Sequence, residues 1–434
     1  MNTDVVGNVK RIRKDYLYIS LVLFLLEFLL FILIKTKVFK SMDISIKESL
    51  QPDNPEEIPT ILKIFYNLNK IYIPYAIIIL VNNFSNIYNT YNLFNVISIV
   101  CYISFILKFI FFKIIQNNED SVIYYCGLGW NLPSTEMMLS VVFCLTIWNI
   151  FFMKKDKTQK NKVKNIFKYI VLGLIIVYNV VNLIFLTKMG YYLFSHLIFS
   201  ALFGVLLYIF LFETNIVKIY NSREFCNFIK HKFECYFLVH ISLLIVAFIP
   251  YILVRNIKSR HPSECVSIDG TFYHKNKSAY KTYVDDTFSL ISIFFGHFFV
   301  FIGIKWELAF KFENDIQNFE QYHFGIDIYD MNSEKDLRYN NTGTIIVATD
   351  TEWNNTIWIK SIIRLILSYV LGGICFLPYF FTKMNDEVEF STIFLVKYFL
   401  SFALFSFGVT YFFKIIFRIF KLTNEILGTI LNDQ

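Results

Sequence analysis

The stretch NLPSTEMMLSVVF, Asn131 to Phe143, decides how this chain is read. Pro133-Ser134-Thr135 is turn and cap chemistry. Proline fixes its own backbone, and a serine or threonine hydroxyl satisfies a free N–H in a helix's first turn. An apolar run of membrane character follows. Such an opening can seat a phosphate on its free backbone N–H groups. Yet Glu136 comes next, an acid where an anion would sit. The stretch is a phosphate site, a ruined phosphate site, or a plain helix cap.

The rest of the chain sets the medium. Of 434 residues, 56% are hydrophobic and only 17% are charged. That balance is too apolar and charge-poor for an ordinary soluble protein, and several runs reach the roughly 20 residues a bilayer requires. The net charge of +7 is modest and gathers beside apolar runs, which excludes a nucleic-acid partner. Seven cysteines are scattered without a C-x-x-C pair, so no metal site and no cofactor are expected. Tyr16 to Ile34 is too long for a cleavable signal, and no small-residue cleavage site follows; it reads as a first span.

The fold class expected is all-α: a polytopic membrane protein of about ten transmembrane helices. They fall near 16–36, 60–81, 92–113, 134–153, 166–187, 190–212, 236–254, 286–304, 357–381 and 390–416. Asn67, Asn69 and Lys70 interrupt the second. Residues 1–215 hold six spans, and residues 216–434 hold four more with a polar loop near 305–356, where TGTIIVATDTEW reads as a small hairpin or a strand. The basic segments VKRIRK, MKKDKTQKNKVKNIFK and KIIFRIFK then share one side. By the positive-inside rule that side, with both termini, is cytoplasmic. The loops 114–133 and 255–285 face the lumen, as does the Asn276 sequon. Sequons at Asn83, Asn340 and Asn354 are cytoplasmic and unused. Cys126 and Cys265 both sit in luminal segments, within reach of a disulfide or free.

On that layout polar groups fall at one membrane depth. They are Lys108 near the outer end of the third span, Ser134, Thr135 and Glu136 opening the fourth, and His196 with Ser200 early in the sixth. Each has a plain structural reading. Lys108 snorkels to the interface; Ser134 caps a helix; His196 packs between helices. Their common depth raises the functional reading.

The order of these motifs resembles the type 2 phosphatidic acid phosphatase superfamily, whose members carry Lys-x6-Arg-Pro, Pro-Ser-Gly/Thr-His and Ser-Arg-x5-His-x3-Asp on a six-helix core. MGYYLFSHLIFSALFGVLLYIFLF, with Gly204, looks like the third motif and its helix. NLPSTEMM is similar to the second in its Pro-Ser-Thr-His form, which points to the sphingosine-1-phosphate phosphatase branch. VDDTFSLISIFFGH, WIKSIIRLILS and VKYFLSFALFSFGV look like that branch's later spans. Glucose-6-phosphatase is a second relative in layout. The resemblance implies a six-span phosphatase-like core followed by four spans, in the endoplasmic reticulum, working in sphingolipid metabolism. It implies His196 as the nucleophile that takes the phosphoryl group and Lys108 and Ser134, with Thr135, as phosphate-binding. The partner it implies is a membrane lipid, a phosphorylated one if the site still binds its ligand.

The departures are specific. The Arg-Pro pair falls on Ile115-Gln116, and the Ser-Arg pair on Met189-Gly190, with Lys188 two positions off. Glu136 stands where the acid-base histidine would be, and Ser200 where the aspartate that orients His196 would be. A phosphate monoester carries nearly two negative charges, and one cation remains of three. Two unit charges about 4 Å apart repel by roughly 4 kcal/mol at an effective dielectric near 20. One added hydrogen bond to a charged group returns about 1.5–3 kcal/mol. An ionised Glu136 therefore opposes phosphate, whereas a protonated one could serve as general acid. A serine can fix an imidazole's tautomer but does not stabilise imidazolium as a carboxylate does, and that loss costs orders of magnitude in rate.

Three functions stay open. The first is a pseudoenzyme of this fold that binds a lipid or a partner. The second is a divergent lipid-phosphate hydrolase using His196, Glu136 and Ser200. The third is an unrelated transporter or channel whose path is lined by Lys70, His297, Arg364 and Lys397, although neither an inverted repeat nor paired broken spans appear. Arg364 could pair with Glu307 or Asp386, and Asp285-Asp286 could cap the eighth span.

Overall fold

The computed structural model describes residues 3–34, 36–50, 73–84, 87–115, 132–152, 162–188, 192–213, 233–255, 265–266, 272–273, 279–314, 358–381, 395–420 and 422. Nearly all of these are helical, as the apolar runs dictate: without water, a chain must close its own backbone hydrogen bonds. Among them, seven helical stretches are long and apolar enough to cross a membrane: Asn89–Phe111, Thr135–Phe152, Ile166–Lys188, Phe194–Leu211, Thr287–Glu307, Ile359–Tyr379 and Tyr398–Ile419. Three shorter apolar helices, Tyr18–Ile34, Ile73–Phe84 and Glu234–Pro250, lie where three further spans were expected. The one paired strand segment described is a small hairpin, Cys265 opposite Tyr273 and Val266 opposite Phe272. Cys126, Lys70, Asn276, Asn340, Asn354, Asp386 and the 342–353 segment fall outside the described residues, as do the side chains of Asp285, Asp286 and Lys397.

The chain forms two compact units. The first comprises Met1–Pro74, Ile99–Lys218 and Ala247–Ile291; the second comprises Tyr75–Ser98, Ile219–Val246 and Ser292–Gln434. The chain crosses between them at five points, so neither is one continuous segment.

Within the first unit, helices Thr3–Ile34, Thr135–Phe152, Lys162–Lys188 and Phe194–Glu213 pack together. Lipid is as apolar as leucine, so burial alone does not drive such helices together; close packing and polar bonds between them do. Both are present. Gly204 lets helix Phe194–Glu213 approach so closely that an added Cβ would lie 3.1 Å from the Met138 carbonyl oxygen and 3.1 Å from the Val141 Cβ. Ser140 donates to the Asn179 side-chain carbonyl at 2.8 Å, and the Asn149 amide donates to the Tyr208 hydroxyl at 2.7 Å. Met137, Val141, Leu186, Tyr192 and Leu197 fill the space between helices Thr135–Phe152, Lys162–Lys188 and Phe194–Glu213, at the end where the first and last of these begin. The outward faces of Thr3–Ile34 and Lys162–Lys188 are exposed Leu, Ile, Val and Phe, the surface a bilayer covers.

In the second unit His297 interrupts one apolar stretch. Helix Ala279–Gly296 stops there, and helix Phe298–Asn314 starts beyond it. The single span expected at 286–304 is kept as Thr287–Glu307, with a one-residue irregularity at His297. The His297 ring holds this turn: its Nε2 meets the Tyr75 hydroxyl at 2.8 Å and its Nδ1 meets the Ser98 hydroxyl at 2.6 Å. Phe94 and Tyr75 enclose it edge-on. Helix Phe298–Asn314 also runs ten residues into the region expected as a polar loop from 305, because its apolar periodicity continues past Trp306. A second irregularity separates helix Trp358–Cys375 from helix Leu377–Phe381. The last span carries two π-helical turns, Leu395–Leu400 and Gly408–Phe412, on either side of Ser401–Phe407. Gly303 lies against the second turn, where a Cβ would meet the Thr410 hydroxyl at 2.0 Å.

Arg364 is fully buried, and of the two acids expected beside it Asp386 lies outside the described residues. Arg364 donates to the Leu422 carbonyl at 3.2 Å and to the Ser361 hydroxyl at 3.0 Å, while Glu307 pairs with Arg418. Asn83, an expected unused sequon, is buried and bonded to the Ile79 carbonyl and the Ser368 hydroxyl.

Candidate functional site

The expected site residues all lie in the first unit. Ser134 is the cap of helix Thr135–Phe152. Its hydroxyl accepts the Met137 N–H at 3.3 Å, and its carbonyl accepts the Met138 N–H at 3.1 Å. That is the bond an N-cap side chain makes to the third residue of its helix. The Ser134 N–H, the group a phosphate would need, donates to the Ser200 hydroxyl at 2.7 Å.

Ser200 in turn donates to the His196 carbonyl at 2.7 Å, the residue four positions earlier. Serines in helices commonly bond back in this way, and one so bonded has no proton left for a ring. The expectation that Ser200 orients the His196 imidazole is corrected here: its hydroxyl bonds two backbone groups and leaves the ring alone. His196 itself is 8% exposed, and its Nδ1 is buried with no hydrogen-bond partner. Ser134, Ser200 and His196 thus come together, joined through backbone groups.

Thr135 is held by the third expected element. Its hydroxyl lies 2.5 Å from that of Ser104 on helix Ile87–Ile115. Lys108 is one turn further along that helix, about 6 Å on the same face, and is itself buried. Glu136 accepts a hydrogen bond from the Tyr192 hydroxyl. Tyr192 stands just before helix Phe194–Glu213, so this bond ties the openings of two helices together.

The sequence reading missed the residue that matters most for charge. Asp43, on helix Lys37–Leu50, takes the Ser195 N–H on Oδ1 at 2.9 Å and the Ser195 hydroxyl on Oδ2 at 2.5 Å. Ser195 is in the first turn of the His196 helix. The partly positive end of a helix attracts an anion, and Asp43 supplies one from within the chain. Burial pushes its carboxyl above the ordinary range, and the two bonds from Ser195 pull it back down. No local signal marked Asp43. It is one acid in an amphipathic connecting segment, 152 positions from its partner. Tyr192 and Ser104 were nearer to view, the first inside the quoted third motif and the second one turn before Lys108.

The arrangement therefore places a carboxylate, Asp43 or Glu136, at the opening of each of the two helices Phe194–Glu213 and Thr135–Phe152. Among the described residues, no cluster of three His, Cys, Asp or Glu suited to a metal ion occurs. Compared with known proteins, the chain matches no family model, and neither a curated protein nor a solved structure matches it.

Proposed function

We propose that this chain is a lipid-phosphatase-like integral membrane protein whose phosphate site has become a structural joint, so that it binds membrane lipid without hydrolysing phosphate esters. The observation that carries the reading is the fate of the anion-binding groups. Ser200 takes the Ser134 N–H, and Asp43 takes the first-turn groups of the His196 helix. A phosphate would have to displace a serine and a carboxylate from bonds already made. It would do so next to Glu136, with Lys108 as the matching cation.

The same reading includes ten spans, both termini in the cytoplasm, the candidate site on the luminal side and residence in the endoplasmic reticulum. The three shorter apolar helices support the larger span count, and the basic segments 9–14, 153–168 and 414–421 support the orientation.

A divergent hydrolase is the second reading. One observation favours it: the His196 imidazole keeps Nδ1 clear of hydrogen bonds, beside the helix opening that carries the hydrogen-bonded Glu136.

The test is purification in detergent, followed by assay of phosphate release from a panel of lipid phosphates, sphingoid phosphates included, over a broad pH range. The proposal expects no release above that of the His196→Ala variant. Release by the native chain that His196→Ala abolishes would contradict it and select the hydrolase.

A further inference from the structure

Glu27 is the only charged residue between Tyr18 and Ile34, in the middle of the apolar run of helix Thr3–Ile34. The outward neighbours of Glu27 are exposed: Phe24, Leu25, Leu26, Phe28 and Leu29 are all at least half accessible. Glu27 points the other way and is 4% exposed. It lies on the helix face of Leu23, Leu30 and Phe31, at spacings of three and four residues. One turn on, the Phe31 ring packs tilted against Phe111 and Phe199, with ring centroids 4.8 Å and 6.3 Å away. The wall beside Glu27 is thus aromatic and aliphatic.

Both carboxyl oxygens are shut off from solvent, and neither makes a hydrogen bond. The elements against this helix carry His196 and Tyr208, Asp43, and Tyr91, Cys101, Tyr102 and Lys108 as their described titratable groups; none bonds to Glu27. An isolated carboxylate in such a medium costs far more free energy than any fold has to spare, and the group takes up a proton instead. Charged groups inside spans mark sites of function by default.

We infer that Glu27 is a proton-binding site inside the membrane-embedded helix Thr3–Ile34, held as a neutral carboxylic acid against helix Phe194–Glu213. Loss of that proton would force the carboxylate to seek water or a cation. Proton release and loosening of this helix from the His196 helix are then one event. The inference does not rest on the phosphatase-like reading and stands if that reading fails.

Infrared difference spectroscopy on the full chain in lipid vesicles at neutral pH tests it. The native chain minus Glu27→Gln, a near-isosteric neutral variant, should show the C=O stretch of a protonated carboxylic acid. Loss of carboxylate bands instead would overturn the inference. A second measurement needs no variant. Dicyclohexylcarbodiimide enters bilayers and reacts with protonated carboxyls. The acid proton moves to a carbodiimide nitrogen, the oxygen bonds to the central carbon, and the O-acylisourea rearranges to a stable N-acylurea with the summed mass of both reactants. Peptide mapping should place that adduct on Glu27, and a native chain unlabelled there would also overturn the inference.

Discussion

Asp43 holds Ser195 with both carboxylate oxygens, one on the backbone N–H and one on the hydroxyl. A connecting helix thereby closes the first turn of the helix that carries His196.

Removing that grip leaves two buried polar groups without their acceptor. Asp43→Ala should lower stability by about 1–3 kcal/mol, the usual cost of an unsatisfied buried donor. Asp43→Asn keeps an acceptor and should lose less. Thermal unfolding in detergent checks both, and equal effects would mean that the bonds to Ser195 contribute little.

The same carboxyl predicts a pH dependence. Burial raises its folded-state pKa above the unfolded one. Between those two values the folded chain binds more protons than the unfolded chain. Stability from this group therefore falls as pH rises through the folded-state value. Asp43→Asn should flatten that part of the unfolding temperature against pH, leaving a smaller slope across the acidic window.

Ser200 joins two helix openings, so Ser200→Ala should destabilise by about 1–3 kcal/mol, because the Ser134 N–H loses its buried acceptor. If Ser200 served the His196 ring instead, Ser200→Ala would leave folding nearly intact. Chemical unfolding of the two proteins in the same detergent distinguishes these outcomes.

Gly204 has little room for a side chain, since a Cβ would meet backbone oxygen and a β-carbon at 3.1 Å each. Gly204→Ala should cost about 1–3 kcal/mol by overpacking, and Gly204→Leu more. A stability unchanged in Gly204→Leu would show that the helices do not approach as described.

His297 fixes the irregular turn within span Thr287–Glu307. Tyr75→Phe removes the hydroxyl 2.8 Å from Nε2 and should destabilise by about 1–3 kcal/mol. Ser98→Ala acts on the opposite ring nitrogen, and the two should be non-additive because they share one imidazole. Additive losses would argue against a shared network.

Much of this was legible beforehand, and the rest was hidden for physical reasons. Apolar runs locate membrane helices because lipid imposes one solution on the backbone. Pro133-Ser134-Thr135 announced a cap, and Ser134 is one. The spacing of His196 and Ser200 promised one helix face, which holds; the target of the hydroxyl did not follow, since a serine four residues on can reach the backbone as easily as the ring. The irregular turn at His297 was invisible because the apolar pattern continues through it. Gly296 beside it, where a Cβ would lie 2.6 Å from the Phe402 Cβ, was the one local hint. Asp43 could not be found at all from local pattern, because its role depends on a contact between distant segments.

The central claim is that the groups which would bind phosphate are committed to holding helices together. Its most direct test is acid-quenched incubation of the purified chain with a radiolabelled lipid phosphate, followed by peptide mapping for phosphohistidine. The account predicts no label on His196 in the native chain at any pH examined. Label on His196 that disappears in His196→Ala would contradict it.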